Sequence, residues 1–490
     1  MGHHRDDSHC GSGVLISVLT QKPYTMKKIL KTRLATFVGL MIAMVAFAIP
    51  AEAQIGKVTG PSKKTQLNGT PRQTSRSQTK PLTNRNRRPA TANNADANRS
   101  AEELYEIGED YYFGRNGKSE DRAKAFQYYK KAADKGSATG MRDCGFCLLN
   151  GIGVKENTTE AIRWYKKAAD KGDDVACDLL GDIYRNGTGV DEDYSEAARW
   201  YRKGADRGNS SSQTSLGLFY FFGYGVTQDY STARYWFEKA AAQGEYVANN
   251  NLGYMYHKGE GVEADIHKAA YYYQQGVDYG SDPEDLNEFR ETLDASDIYD
   301  IGDLFYYGNE GFEQSYENAV DWYKVAAEKD YRPAQCDLGL MYRLGRGVEQ
   351  DYDTALTWYR KAANQGSAVG QYNVGFFYYK GWGVDQNYSQ ALYWTRKAAD
   401  QDYDAAQNLL GLMYEFGNGV TQSYTEAVSW YRKAADQGLA SAQYNIGDCY
   451  EQGNGVKKDL QTAIYWYKKA ASQDNDAAKD ALVRLNVSWE

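Results

Sequence analysis

Histidine is scarce in this chain: five residues in 490, of which only His257 and His267 lie beyond residue 100. Two imidazoles ten residues apart give a His-based triad little material and a closed zinc site few ligands. Cysteine numbers six and proline eight. The most apolar stretch, residues 37–49, is shorter than the roughly 20 residues that a membrane-spanning helix needs. Positive charge is short where most of the chain lies. Residues 1–99 hold 16 Lys+Arg against 4 Asp+Glu, leaving 41 basic and 61 acidic residues for the remainder. The tail is thus about +12 and the body about −20, which argues against nucleic acid as a partner of the body, since no phosphate backbone is neutralised by such a surface.

What is abundant points to a short unit used many times: 48 Gly, 43 Tyr and 10 Trp. Before that unit comes an address. Met26, Lys27 and Lys28 open a basic region, residues 37–49 supply an apolar core, and Ala51-Glu52-Ala53 matches the small-residue pattern of a signal-peptidase site. Residues 26–53 are therefore expected to be a signal peptide cleaved after Ala53, and residues 1–25 an upstream extension from a mis-assigned start. No cysteine lies near the cleavage site to take a lipid, so the mature protein is expected to be periplasmic or secreted, with no stable membrane span. Residues 54–99 are rich in Thr, Asn, Gln, Ser and Pro and carry ten basic residues; with almost nothing to bury they read as a basic disordered linker.

Beyond residue 100 the self-similarity is plain. Gly151, Gly187, Gly223 and Gly259 recur every 36 residues, and Gly345, Gly381, Gly417 and Gly453 resume the period after a break. Eight of the ten Trp occupy one repeat position. In the copy at residues 173–208, Ala176, Leu180, Ile183 and Tyr184 lie on one face of a helix, Gly187-Thr188-Gly189 forms a turn, and Ala197, Trp200, Tyr201 and Ala205 stripe a second helix. Asp193 with Glu196 has the spacing of a capping box, and Gly181 in mid-helix marks a place where a neighbouring backbone is expected to pack closely. A single helical hairpin cannot bury both stripes, so copies must stack. The fold class is all-α, a solenoid of about ten 36-residue helix-turn-helix repeats.

The shared pattern A-x-x-x-L-G-x-x-Y-x-x-G-x-G-V followed by A-x-x-W-Y-x-K-A-A-x-x-G resembles the Sel-like repeat (SLR) family, relatives of the tetratricopeptide repeats. Residues 406–419, AQNLLGLMYEFGNG, and 427–438, AVSWYRKAADQG, follow it almost letter for letter, and the resemblance covers about residues 100–474. It implies a right-handed α/α superhelix that acts as an adaptor in assembling complexes, often in bacterial envelopes or secreted fractions. It implies no ligand and no cofactor. Cysteine-rich relatives carry a paired cysteine on each second helix; here alanine stands there, as at Ala168 and Ala169, so no disulfide ladder is expected.

The first and sixth copies are one residue longer between landmarks, and Tyr105-Glu106-Ile107-Gly108 echoes Tyr299-Asp300-Ile301-Gly302, which indicates duplication of a five-copy block. The expected order is copies 1–5 at residues 100–280, an inserted short helix at 281–293, copies 6–10 at 294–474, and a capping helix at 475–490. Pro283 at a first helical turn, with Leu286, Phe289 and Leu293 at helical spacing, carries the inserted helix, which is expected to alter the superhelix pitch and divide the body into two arms. Cys144 and Cys147 replace Leu180 and Ile183 of another copy, so their C-x-x-C spacing reads as core rather than metal. Gly151-Ile152-Gly153 and its counterparts lack the flanks of a phosphate-binding loop. A repeated array spreads like groups along a surface rather than gathering unlike ones, so the chain is expected not to be an enzyme.

Residues that vary between copies are free to meet a partner. Aromatic departures cluster at Phe221, Phe222 and Tyr224 in the fourth copy and at Tyr379 and Trp382 in the eighth, Trp382 lying in the turn, where exposure is expected. Asn251, Asn373 and Asn445 share one position of the first helix, where an amide can hold a peptide backbone. These residues define the expected binding surface of an exported bacterial scaffold that takes a protein or peptide on its concave side. The alternatives are a binder of cell-wall or envelope glycan, with the aromatics stacking on sugars, and an envelope hydrolase.

Overall fold

The computed structural model describes residues 96–488. The signal peptide, the upstream extension and nearly all of the basic linker, with Trp489 and Glu490, lie outside the described residues. The described residues form 22 helices and no strand. Ten antiparallel pairs run from Ala101–Phe113 with Arg122–Asp134 to Ala440–Gln452 with Leu460–Ala471. Glu284–Thr292 stands between the fifth and sixth pairs, and Asp476–Arg484 follows the tenth. Each helix packs chiefly on a neighbour in sequence, first of all its hairpin partner, the arrangement of an all-α solenoid.

Local chemistry sets the ends. Most first helices start where a Ser, Asp or Asn side chain accepts an amide N–H, as Asp173 does from Ala176 at 2.7 Å. Every one of them stops at a glycine with φ between 63° and 82°, a left-handed conformation that other residues adopt only with strain. Asp193 caps its helix by accepting from the Glu196 amide at 2.9 Å, but the Glu196 carboxylate turns instead to Trp200 Nε1 at 2.9 Å and Arg199 at 3.0 Å, so the reciprocal half of the expected box is missing. Both halves are present at Ser100 and Glu103.

The mid-helix glycine has a different neighbour from the one its sequence suggests. A Cβ on Gly181 would lie 2.4 Å from the Tyr201 ring of its own second helix, and the same clash recurs between Gly145 and Tyr165, Gly339 and Tyr359, and Gly411 and Tyr431. An aromatic ring, not a backbone, claims the space. These tyrosines are almost wholly buried, and several hydroxyls donate to carboxylates on the first helix: Tyr201 to Asp182 at 2.7 Å, Tyr323 to Asp303 at 2.6 Å, Tyr467 to Glu451 at 2.8 Å.

Three devices join one copy to the next. At eight turns the second glycine presses on the first turn of the preceding copy's second helix; a Cβ on Gly153, Gly189, Gly225, Gly261, Gly347, Gly383, Gly419 or Gly455 would approach it to 2.1–2.7 Å. A cation from one copy reaches a Tyr hydroxyl of the next, as Arg360 does to Tyr378 at 2.8 Å and Arg432 to Tyr450 at 2.7 Å, and Arg432 also lies over the Trp466 ring at 5.3 Å. Buried amides form the third. Gln335, Gln371, Gln407 and Gln443 each donate Nε2 to an alanine carbonyl of the preceding copy at 3.2–3.4 Å. Each accepts, on its carbonyl oxygen, from a glutamine 30 residues later at 2.8–3.0 Å.

The inserted helix is packed between the blocks. Leu286, Phe289 and Leu293 are buried in a cluster that runs from Tyr256 through Trp322 to Met341, so the core continues from the fifth copy into the sixth. Where other copies carry a cation, the fifth has Gln274; Arg290 of the inserted helix lies over Trp322 at 4.2 Å in its stead. The sixth copy has Phe305 where others have the tyrosine, so this guanidinium finds no hydroxyl partner. At the far end Arg484 of the last helix grips Glu451 through two bonds of 2.6 and 2.9 Å, and Ala478, Ala481 and Leu482 pack on Tyr467.

Candidate functional site

The surface open to a partner follows from the helix pattern. In a first helix one side meets the second helix and both flanks meet neighbouring copies, which leaves a stripe such as Val175, Leu179, Asp182 and Asn186 turned to solvent. In copies 2 and 5 polar groups border the stripe: Arg142 pairs with Asp143 at 3.1 Å and Asp173 at 3.2 Å, and Asn250 donates to Asp285 at 2.7 Å, while copy 3 exposes Val175 and copy 1 ends in half-buried Phe113. Asp178 accepts from Ser211 and Ser212, both at 2.8 Å. Burial, followed by the nearby Asp182 carboxylate, raises the pKa of Asp178, while the serine hydroxyls oppose the rise.

In copies 6–9 the stripe changes character. Tyr307, Leu344 and Phe416 hold the same repeat position, the residue before the capping glycine, and are 62%, 42% and 61% exposed. Val369 lies exposed on the same stripe, with half-buried Tyr372 and Phe376 along it. Burying such side chains is worth roughly 25 cal/mol per Å², so their exposure in several successive copies marks an unsatisfied surface.

The residues singled out in the sequence fare unevenly. Phe221 is buried, wedged edge-on against Phe222 at 4.9 Å and Tyr230 at 5.1 Å, so it is core rather than exposed anchor. Trp382 is half-buried, not free in its turn: it stacks on Tyr352 of the preceding copy, with centroids 5.0 Å apart and planes at 19°. Tyr224 repeats that arrangement on Tyr194 at 5.4 Å and stacks on Phe222, but keeps an exposed edge. Tyr379 is half-buried beside Tyr388, and its hydroxyl accepts from Asn418 at 3.1 Å. Asn251 and Asn373 lie on the solvent stripe, yet their amides donate to the carbonyls one turn back, Val247 at 2.7 Å and Val369 at 2.9 Å; Asn445 donates to Asn408 at 2.9 Å. Of the eight, the asparagines share the stripe with Tyr307, Leu344 and Phe416, and half-buried Phe222 holds the same repeat position as those three, whereas Tyr224 and Trp382 belong to the turn edge. The residue type before the capping glycine does not single these copies out, because Phe113 and Phe222 also hold that position and copy 8 has Lys380 there, whereas Asn150, Asn186, Lys258 and Gln452 hold it elsewhere; exposure is what distinguishes Tyr307, Leu344 and Phe416.

No group of three or more His, Cys, Asp or Glu is placed to hold a metal among the described residues. Cys144 and Cys147 are fully buried, and burial drives both thiols up, Cys147 to about 12. No described helix is long and apolar enough to cross a membrane.

Comparisons with known proteins place the repeats. The family model "Sel1 repeat" matches ten segments: residues 104–137, 138–173, 174–209, 210–245, 247–278, 295–331, 332–367, 368–403, 404–439 and 440–475. A crystal structure titled as a protective antigen present in uropathogenic Escherichia coli strains, displaying an SLR fold, is 37% identical, with 80% of this chain and 82% of that one covered and a TM-score of 0.38. A Sel1 repeat protein from Oxalobacter formigenes is 30% identical over 73% of this chain and 89% of its own, at a TM-score of 0.34. Yeast Tom70 is 16% identical over 79% and 96%, at a TM-score of 0.29. The search of curated proteins finds no match. Sel1 repeat proteins generally act as protein–protein interaction scaffolds and are typically not enzymes. With all ten copies matched, the chain belongs to the Sel1 repeat family.

Proposed function

We propose that this protein is an exported, non-catalytic scaffold whose concave stripe in copies 6–9 receives a protein or peptide segment bearing apolar side chains. The observation that carries the reading is the exposure of Tyr307, Leu344 and Phe416 at one repeated position in copies 6, 7 and 9, with Val369 exposed in copy 8, where Lys380 holds that position. Copies spaced evenly along a solenoid present such side chains as a row, and an extended or helical ligand fills a row by placing its own apolar residues at matching intervals. Export rests on the signal-like segment at residues 26–53 and predicts a mature N-terminus at Gln54.

Selection of a displayed random-peptide library on the purified chain tests the binding mode. Enriched peptides are expected to carry spaced apolar residues and to weaken at least about tenfold with Tyr307→Ser or Phe416→Ser, a loss of about 1.4 kcal/mol. Tyr393→Ser, at an exposed tyrosine of a second helix, is expected to leave binding unchanged. Peptides indifferent to the first two changes would remove the stripe as the site. N-terminal sequencing of the protein recovered outside the cytoplasm tests export.

A further inference from the structure

At eight turns the second glycine seals against the preceding copy, but at the sixth copy it does not. The turn there is one residue longer, and a Cβ on Gly311 would meet nothing within 4 Å. The inserted helix packs Leu286, Phe289 and Leu293 into the core of this joint. What remains open is a groove of about 520 Å³ between the second helix of the fifth copy and the turn of the sixth, a volume in the range of small-molecule sites.

Its lining combines two chemistries. Tyr256, Tyr271, Tyr272 and Phe312 form aromatic walls, with Tyr256 and Tyr272 parallel at 5.7 Å and Tyr271 meeting Phe312 edge-on at 5.5 Å. Around them stand Asp265, His267, Lys268 and Glu310. These polar groups are matched within the groove: His267 Nδ1 lies 3.1 Å from Glu310 Oε2, and Lys268 Nζ lies 3.2 Å from Asp265 Oδ2. Lys268 offsets Asp265, and these carboxylate, ammonium and imidazole groups stand beside the half-buried rings of Tyr271 and Tyr272, whereas Tyr256 and Phe312 are buried and Lys268 Nζ lies 5.2 Å from the Tyr256 ring.

We infer that this groove is a binding site for a neutral saccharide, whose C–H faces stack on the tyrosines while its hydroxyls bridge the carboxylates and cations. A neutral, polyhydroxylated ring is the ligand that uses aromatic faces, donors and acceptors together without demanding net charge. The site is separate from the peptide stripe and from the turn aromatics Tyr224 and Trp382. It exists at one joint because only there does the repeat register break.

Tyr271 has counterparts at the same repeat position, Tyr235, Tyr393 and Tyr465, which are about half exposed and line no groove. They supply the control. Saturation-transfer NMR and calorimetry on the full chain, with chitotriose, cellotriose and maltotriose at up to about 10 mM, should show at least one sugar binding. Tyr271→Ala should weaken that sugar at least about tenfold, Glu310→Ala, at an exposed residue whose loss leaves the fold intact, should weaken it measurably, and Tyr393→Ala should leave it unchanged. The inference is overturned if none of the three sugars binds, if Tyr271→Ala and Glu310→Ala both retain full binding, or if Tyr393→Ala abolishes it as well.

Discussion

Adding one methyl group at Gly339 should destabilise the seventh copy, although alanine is the better helix former. The new Cβ would lie 2.8 Å from Tyr359 Cε1 and 2.9 Å from Cδ1, and Tyr359 is 1% exposed with no room to swing aside. Two effects oppose each other. Gly→Ala in a helix interior gains about 1 kcal/mol, while forcing a carbon into a packed site loses about 1–3 kcal/mol. Contact under 3.0 Å places this site toward the upper end, so a net loss of about 1–2 kcal/mol is expected. The sign should reverse when the ring is gone. In a Tyr359→Ala background, itself costing about 3–5 kcal/mol, Gly339→Ala should recover about 1 kcal/mol by propensity and partial filling. Long repeat arrays need not unfold as one unit, so the readout is native-state hydrogen exchange of amides in Arg332–Leu344 and Tyr352–Asn364. A stabilising Gly339→Ala in the parent chain, or a coupling energy below about 0.5 kcal/mol between the two sites, would refute the claim that ring contact is what requires glycine here.

Other consequences can be measured alongside. Gln407→Leu removes the bond to the Ala399 carbonyl, which keeps the Asp402 N–H, and the bond from the exposed Gln437, so exchange in copies 8 and 9 should quicken by the equivalent of about 1 kcal/mol. Asp178 holds its proton more tightly folded than unfolded, so its stabilising contribution is fullest at low pH and fades as pH rises through the raised pKa. Asp178→Asn should therefore gain about 1 kcal/mol or more on the parent at pH 8, an advantage that shrinks as pH falls below the raised pKa and is gone below the ordinary carboxylate pKa of 3.8, as followed by exchange in copies 3 and 4. Arg484→Ala leaves the buried Glu451 carboxylate without its ion pair, and melting of the last copy should come earlier by about 1–3 kcal/mol. The five described cysteines are buried and none is paired in a disulfide, so a thiol reagent should label none of them quickly until denaturant is added.

The hairpin and its repetition were legible because they depend on spacing within about 36 residues: capping glycines, helix-start polar residues and the tryptophan period all appear in one copy and recur in the next. The neighbour relations were not. That Gly181 faces Tyr201, or that Trp382 lies on Tyr352, depends on which side of a helix meets which ring after stacking, and a single-copy pattern does not state it. Trp382 looked free because its counterparts are Thr188, Asn418 and Asn454, yet a large ring in a turn that touches the preceding helix finds an aromatic surface there. Tyr307, Leu344 and Phe416 were overlooked for the opposite reason. Each is unremarkable alone as the last residue of an aromatic-rich helix, and only their shared exposure sets them apart.

The buried glutamines have a mechanical consequence. Their bonds span four consecutive joints, from the sixth copy to the tenth, and Gln213 repeats them between copies 3 and 4, whereas Met141 and Cys177 hold the position in copies 2 and 3 and Asn249 of copy 5 is bonded back to its own helix at Glu245. Pulled by its ends, the array is therefore not a uniform spring: the joints into copies 2, 3 and 5, which lack the glutamine, should pay out first under load, and the stretch from the sixth copy onward should hold its length until the tension is higher.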